Sequence, residues 1–171
     1  MADLDYVIFD VETTGMKPED GHAIVELAAQ RVRGREVVDT FDTIVNPDKL
    51  VDAEVVAIHG ITNDIIKREG KPLIEVIPAF MLFSENATLV AHNIKFDLSF
   101  INKHLRDLGL PPLANPLLDT LELARSKVLV ASYALGYLAK HFAIPQPKAH
   151  RALADVEVTR ELLFKLLDIK K

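Results

Sequence analysis

The chain contains no cysteine, which excludes disulfides, thiolate zinc sites and thiol nucleophiles. It has no excess of basic charge: 20 Lys and Arg stand against 25 Asp and Glu, a formal net charge of −5. Gripping a long stretch of phosphate backbone needs clustered cations, so broad non-specific nucleic-acid binding is disfavoured. An enzyme that holds only a few nucleotides is not excluded, because bound divalent cations can neutralise the phosphate under attack. Long apolar runs are missing too. The stretch 73–83 is broken by Glu75, and no segment is long enough to span a bilayer. The start, Met-Ala-Asp-Leu-Asp, is acidic where a secretory signal would be basic. No repeat, low-complexity tract or linker breaks the chain. With 49% hydrophobic residues, residues 1–171 read as one packed domain, and the cytoplasm as its compartment.

The pattern along the chain is mixed. Residues 6–9, Tyr-Val-Ile-Phe, predict a buried central strand. Residues 24–33 and 36–45 predict two more, joined by a hairpin turn at Gly34-Arg35. Residues 55–68 predict helix in two pieces interrupted at Gly60, and 73–84 a helix starting after Pro72. Residues 88–91 predict another strand. Leu98, Ile101, Leu105 and Leu108 recur at helical spacing until Gly109 and Pro111-Pro112 end the pattern. Residues 116–120 predict a short strand, 120–127 a helix, and 132–142 a helix with Ser132 as N-cap. Val156, Leu162, Leu163, Leu166 and Leu167 form the apolar face of a last helix. Such an order suggests an α/β fold, a mixed sheet covered by helices.

Three segments carry candidate chemistry. In Phe9-Asp10-Val11-Glu12-Thr13-Thr14-Gly15, Asp10 and Glu12 fall two apart at a strand end, so they share a face. Adjacent carboxylates raise one another's pKa unless a cation lies between them, and Mg²⁺ suits oxygen ligands. Thr13, Thr14 and Gly15 would form a turn placing hydroxyls and free amides near that cation. Solvated acids at a strand end are the plainer explanation of the pair. In the second segment, Ala91 to Asp97, Asp97 falls in the first turn of a helix, where dipole complementarity alone would justify an acid. In the third, His150-Arg151-Ala152-Leu153-Ala154-Asp155, Asp155 allows the same plain reading. His150, following Pro145 and Pro147, reads on its own as an accessible residue able to change charge near neutral pH.

Together these segments give D-x-E on a first strand, an Asp opening a central helix, and H-x4-D opening a late helix. The order resembles that of the DEDDh 3′→5′ exonucleases, and all five positions match: Asp10, Glu12, Asp97, His150 and Asp155. Ile-His-Gly-Ile-Thr at 58–62 and His-Arg-Ala-Leu-Ala-Asp at 150–155 match as well, so the resemblance covers essentially the whole chain. Within that family the chain is similar to the proofreading exonucleases of bacterial DNA polymerase III, whether epsilon subunit or polymerase exonuclease domain. A sister branch has tyrosine one residue nearer the last Asp. Arg151 occupies that position, so the histidine branch is indicated.

The resemblance implies a ribonuclease H-like fold with a five-stranded mixed sheet flanked by helices. It implies two divalent cations, Mg²⁺ or Mn²⁺, held by Asp10, Glu12 and Asp155, with Asp97 assisting the second and Asp10 bridging. His150 would take a proton from the attacking water, and a nucleoside 5′-monophosphate would leave. Val11, Thr13 and Thr14 would hold the terminal nucleotide through the backbone. Ile58 and His59 would lie against its base, where stacking tolerates any base. Asn93 and Phe96 would support the next phosphate. A core role is the plain alternative for Ile58 and Phe96.

The expected partner is a nucleic-acid 3′ end, single-stranded or frayed DNA ahead of RNA, with a DNA polymerase as a second partner to expect. RNA-end trimming of the oligoribonuclease type is the near alternative, and a non-catalytic nucleic-acid-binding module the distant one. His104 and His141 are expected late in helices as imidazolium suited to the dipole. His22 and His92 lack partners at metal-ligand spacing. Tyr133 and Tyr137 are expected on one face of a packed helix. Gln30 and Gln146 lack the followers of a sliding-clamp motif, and the chain ends at Lys171 without a long tail. A stand-alone enzyme, one that binds partners through its surface and a domain of a larger chain all stay open. So does the oligomeric state, a dimer included.

Overall fold

In a computed structural model, residues 4–146 and 150–170 are described. Residues 1–3, 147–149 and 171 lie outside the described residues, among them the beginning of the acidic start, Pro147 and the terminal Lys171. Strand β1, Asp5–Thr13, runs through the middle of the sheet and alternates between two cores. Val7, Phe9 and Val11 face one, Tyr6 and Ile8 the other, as the two-residue period of a strand requires. Antiparallel to β1 lies β2, Ile24–Arg33, and antiparallel to β2 lies β3, Glu36–Asn46. Gly34 turns this hairpin at φ 61°, a left-handed conformation that costs glycine little.

After β3 come α1, Ala53–His59, and α2, Asn63–Glu69, separated at Gly60 as expected. A two-residue β4, Lys71–Pro72, pairs in parallel with Val45 and Asn46. Then follow α3, Leu73–Phe83, β5, Thr88–Ala91, and α4, Ile94–Asp107. The chain continues through β6, Leu117–Asp119, α5, Thr120–Lys127, α6, Leu135–His141, and α7, Ala152–Asp168. Strand order is β4-β3-β2-β1-β5-β6. The sheet is mixed as expected but has six strands rather than five, because β4 exists only through its pairing with β3.

Helices α3 and α4 cover one face of the sheet, where Val76, Ile77, Phe80, Phe100, Ile101 and Leu105 pack on Phe9 and Leu27. The rings of Phe9 and Phe80 lie 5.4 Å apart, inside the range of favourable aromatic pairs. Helix α7 covers the other face with Ala152, Val156, Leu163 and Phe164. Arg160 of α7 also donates to Gln30 of β2 at 2.8 Å. Beyond α7, Leu138 and Ala139 of α6 complete a smaller cluster with Leu162 and Leu166. No described helix is long and apolar enough to cross a membrane.

Three expectations need correction. Helix α6 is capped at Ala134, not Ser132, whose hydroxyl instead accepts from the Ala134 amide at 3.3 Å. Tyr133 therefore precedes the helix and donates its hydroxyl to Val128 O, while Tyr137 is exposed. The two do not share a packed helical face. His104 lies in the last turn of α4 as expected, but it is buried, and burial lowers its pKa, which disfavours the imidazolium expected there.

Candidate active site

Strand β1 is longer than its parallel neighbour. Tyr6, Val7 and Ile8 pair with Thr88, Leu89 and Val90 of β5, which ends at Ala91. Further along β1, the amide of Val11 needs an acceptor from elsewhere, and Asp97, in the first turn of α4, supplies one. Its Oδ1 accepts from Val11 N at 3.1 Å, and the side chain is buried. Burial pushes Asp97 up to about 8, opposed by this hydrogen bond.

Asp10 and Glu12 follow Tyr6 and Ile8 by two-residue steps, so they point toward α7. There Asp155 waits in the first turn. Carboxylate oxygens of Asp10, Glu12 and Asp155 lie within 4.8 Å of one another. Burial, then the negative charge of Asp97, raises Asp10 well above the usual carboxylate range. Burial, then Asp155, raises Glu12 to about 8. A cluster of acids that resist ionisation is the electrostatic counterpart of a cation site. Its donor set, all hard oxygen, suits Mg²⁺ or Mn²⁺. A three-residue cluster with a fourth buried acid adjoining it can hold metal; it is not explained by four separate solvated acids.

Asp155 is held through both oxygens. Gln146 Nε2 donates to Oδ1 at 3.1 Å, and the His150 amide donates to Oδ2 at 3.0 Å. His150 is exposed and adopts φ 61°. The structure thus brings Asp10, Glu12, Asp97 and Asp155 to one end of β1, with the His150 backbone at their margin.

The remaining candidates divide. Ile58 is 59% exposed at the end of α1, so it is not core. His59 beside it is buried; its Nδ1 accepts from Ile61 N at 3.0 Å, and its Nε2 is buried without a partner. Asn93 is exposed and left-handed at φ 68°. Phe96 is half-buried, with its ring 5.2 Å from that of Phe100. The hydroxyls of Thr13 and Thr14 are both engaged, and the Thr14 amide is not free as expected. Thr13 donates to Gly15 O at 2.7 Å, and Thr14 Oγ1 accepts from Ala23 N and pairs with His22 Nδ1 at 3.2 Å. The amides of Val11 and Thr14 are likewise taken, by Asp97 and by Ala23 O.

Two participants are not visible as such in the motifs. His22 packs so closely on Gly15 that a Cβ there would lie 2.4 Å from its ring. Glu26, cross-strand partner of Glu12, is 1% exposed and paired with Arg151 at 2.6 Å. A charge inside the apolar run Ala23-Ile24-Val25-Glu26-Leu27-Ala28-Ala29 was the available signal, since a buried carboxylate demands a partner.

Comparison with known proteins points the same way. Residues 7–163 match the RNase_T family, described as Exonuclease. Over 166 residues the chain is 39% identical to the PolC-type DNA polymerase III of Caldanaerobacter subterraneus subsp. tengcongensis, covering 96% of this chain and 12% of that protein. It is 38% identical to the PolC-type polymerase of Bacillus subtilis over 164 residues, covering 95% and 11%. It therefore spans about an eighth of the length of the curated relatives it matches. Exonuclease X in complex with 5′ overhanging duplex DNA superposes with TM-score 0.76 at 28% identity, over 95% of this chain and 91% of that one. Exonuclease I superposes with TM-score 0.87 at 22% identity, over 98% and 41%, a likeness of fold.

Proposed function

The chain belongs to the RNase_T exonuclease family, and on that premise we propose that residues 1–171 form one metal-dependent 3′→5′ exonuclease domain acting on DNA ends. The observation that carries the reading is the meeting of Asp10, Glu12 and Asp155 within 4.8 Å, with Asp97 bound to the strand between them. Asp10, Glu12 and Asp155 would hold divalent cations, two in number, with Asp10 shared and Asp97 assisting. When bound, these supply activation of a water and charge neutralisation at the phosphate and the leaving 3′-oxygen.

This chain's residues do the rest. The water oxygen bonds to phosphorus as the P–O3′ bond breaks. His150, exposed and beside Asp155, accepts the water's proton. The O3′ of the shortened strand takes a proton from solvent and leaves as a 3′-hydroxyl, and the terminal residue leaves as a nucleoside 5′-monophosphate. Ile58 presents apolar surface against the terminal base, and Asn93 and Phe96 border the next phosphate. The net charge of −5 disfavours a grip on a long stretch of phosphate backbone, which suits an enzyme gripping a frayed end. Proofreading or repair in the cytoplasm, beside or within a DNA polymerase, is the role that similarity to PolC-type polymerases supports. The DNA bound in the Exonuclease X structure favours DNA over RNA.

The test uses 5′-labelled 3′-recessed duplex, single-stranded DNA and matching RNA, with Mg²⁺, Mn²⁺ or EDTA. A metal-dependent ladder shortening from the 3′ end, lost in Asp10→Ala and reduced to a slow residual rate in His150→Ala, is expected. Wild type indistinguishable from Asp10→Ala on every substrate would overturn the reading in favour of a non-catalytic binding module. Preference for the RNA would reassign it to RNA-end trimming.

A further inference from the structure

Glu26 lies in the middle of β2, opposite Glu12, and is 1% exposed. A carboxylate so placed is tolerated only when its charge and lone pairs are answered. All the answers come from two consecutive residues at the start of α7. Arg151 Nε lies 3.1 and 3.2 Å from the two Glu26 oxygens, and its Nη2 donates to Oε1 at 2.6 Å. The Ala152 amide donates to Oε2 at 2.9 Å. Arg151 is the N-cap of α7 and makes no capping bond with its own side chain. Glu26 therefore caps the helix from another element, as a carboxylate at a helix N-terminus favours.

His150 is the residue before Arg151. Its left-handed φ of 61° is unfavourable for a side chain bearing a Cβ and persists only where neighbours enforce it. They do so from both directions: Asp155 holds the His150 amide, and Glu26 holds the next two residues. We propose that the Glu26–Arg151 pair is a positioning device for His150, tying its backbone to β2 so that the imidazole has a fixed base beside the cluster. The inference rests on His150 acting as proton acceptor. Arg151 and Glu26 touch no reacting atom in this scheme; they act through the histidine. A charged fork is suited to this, because a two-point contact fixes direction as well as distance.

Single-turnover cleavage of 5′-labelled single-stranded DNA with Mg²⁺ tests it, with thermal melting of each variant alongside. Arg151→Gln is expected to slow cleavage by about 10²-fold, the scale of a small misplacement of a reacting group, with KM changed less than about two-fold. In a His150→Ala background the same substitution should change the residual rate less than about two-fold, because the residue it serves is gone. Arg151→Lys keeps the charge but not the fork and should recover only part of the rate. The rise in melting temperature on adding Mg²⁺ should persist in Arg151→Gln. If that variant fails to fold, Glu26→Gln/Arg151→Gln removes the uncompensated charge and carries the same expectation. Equal losses with and without His150, full recovery by lysine, or a drop in melting temperature with an unchanged rate would each overturn the positioning role alone. A wild-type protein that leaves the 3′ end intact would overturn the exonuclease reading, and the positioning role with it.

Discussion

Asp97 Oδ1 accepts from the backbone amide of Val11 at 3.1 Å across 86 positions of sequence, so one carboxylate both satisfies β1 beyond the end of β5 and adjoins the acidic cluster. The two tasks separate on mutation. Asp97→Asn keeps an oxygen for the Val11 amide and loses the charge. Asp97→Ala also leaves a buried donor unsatisfied, at about 1–3 kcal/mol. Both should lose most exonuclease activity, while only the alanine variant should melt markedly lower. Equal melting temperatures for the two would mean that the hydrogen bond contributes nothing.

Glu12 ties stability to pH. Its folded-state pKa, raised from 4.5 to about 8 by burial and then Asp155, means that the fold binds a proton the unfolded chain gives up earlier. Below the unfolded value the stabilising effect is complete, and it is lost as pH rises through the folded value. EDTA-treated protein should therefore melt progressively lower from about pH 5 to about pH 8, and Glu12→Gln should flatten that slope. Mg²⁺ must displace those protons, so its stabilising effect should grow over the same interval. A slope unchanged in Glu12→Gln would assign the dependence to other groups.

Ile58 and His59 are adjacent in sequence and opposite in exposure. Ile58→Ala removes exposed apolar surface and should raise KM severalfold with little change in melting temperature. His59→Ala opens space in a packed region and deprives the Ile61 amide of its acceptor, so it should lower the melting temperature. The reverse pattern would exchange their roles.

Gly15 is confined by the His22 ring. Gly15→Ala should destabilise by about 1–3 kcal/mol through overpacking, and His22→Ala in the same chain should recover part of the loss. Denaturant unfolding of the single and double variants checks this coupling; strict additivity would show that the ring moves aside freely.

Why some of this was legible in sequence and some was not has physical causes. Periodicity places Asp10 and Glu12 on one face of a strand and Asp155 falls in the first turn of a helix, but that the three converge was implied only by the resemblance to the DEDDh exonucleases. Glu26 resisted such reading because its partner is 125 positions away, although its apolar neighbours Val25 and Leu27 mark it as a charge in a buried segment. Strand β4 has no propensity of its own, being Lys71–Pro72, and is defined wholly by what it pairs with. Helix α6 is capped at Ala134 rather than Ser132, because a residue preference for the cap locates a helix start only to within a residue or two. His22 looked isolated for want of a metal-ligand spacing, yet its partner is a hydroxyl in the neighbouring turn.

The alternation of β1 between two cores makes its length as consequential as its chemistry. One residue inserted between Phe9 and Asp10 would leave every side chain intact, yet turn Asp10 and Glu12 from the α7 face to the side covered by α3 and α4. The acids would then enter the packing around Phe80 and Phe100, and Asp155 would face Val11. The site is written partly in parity: a conservative-looking change in count at this strand should harm the protein more than many drastic changes of side chain elsewhere.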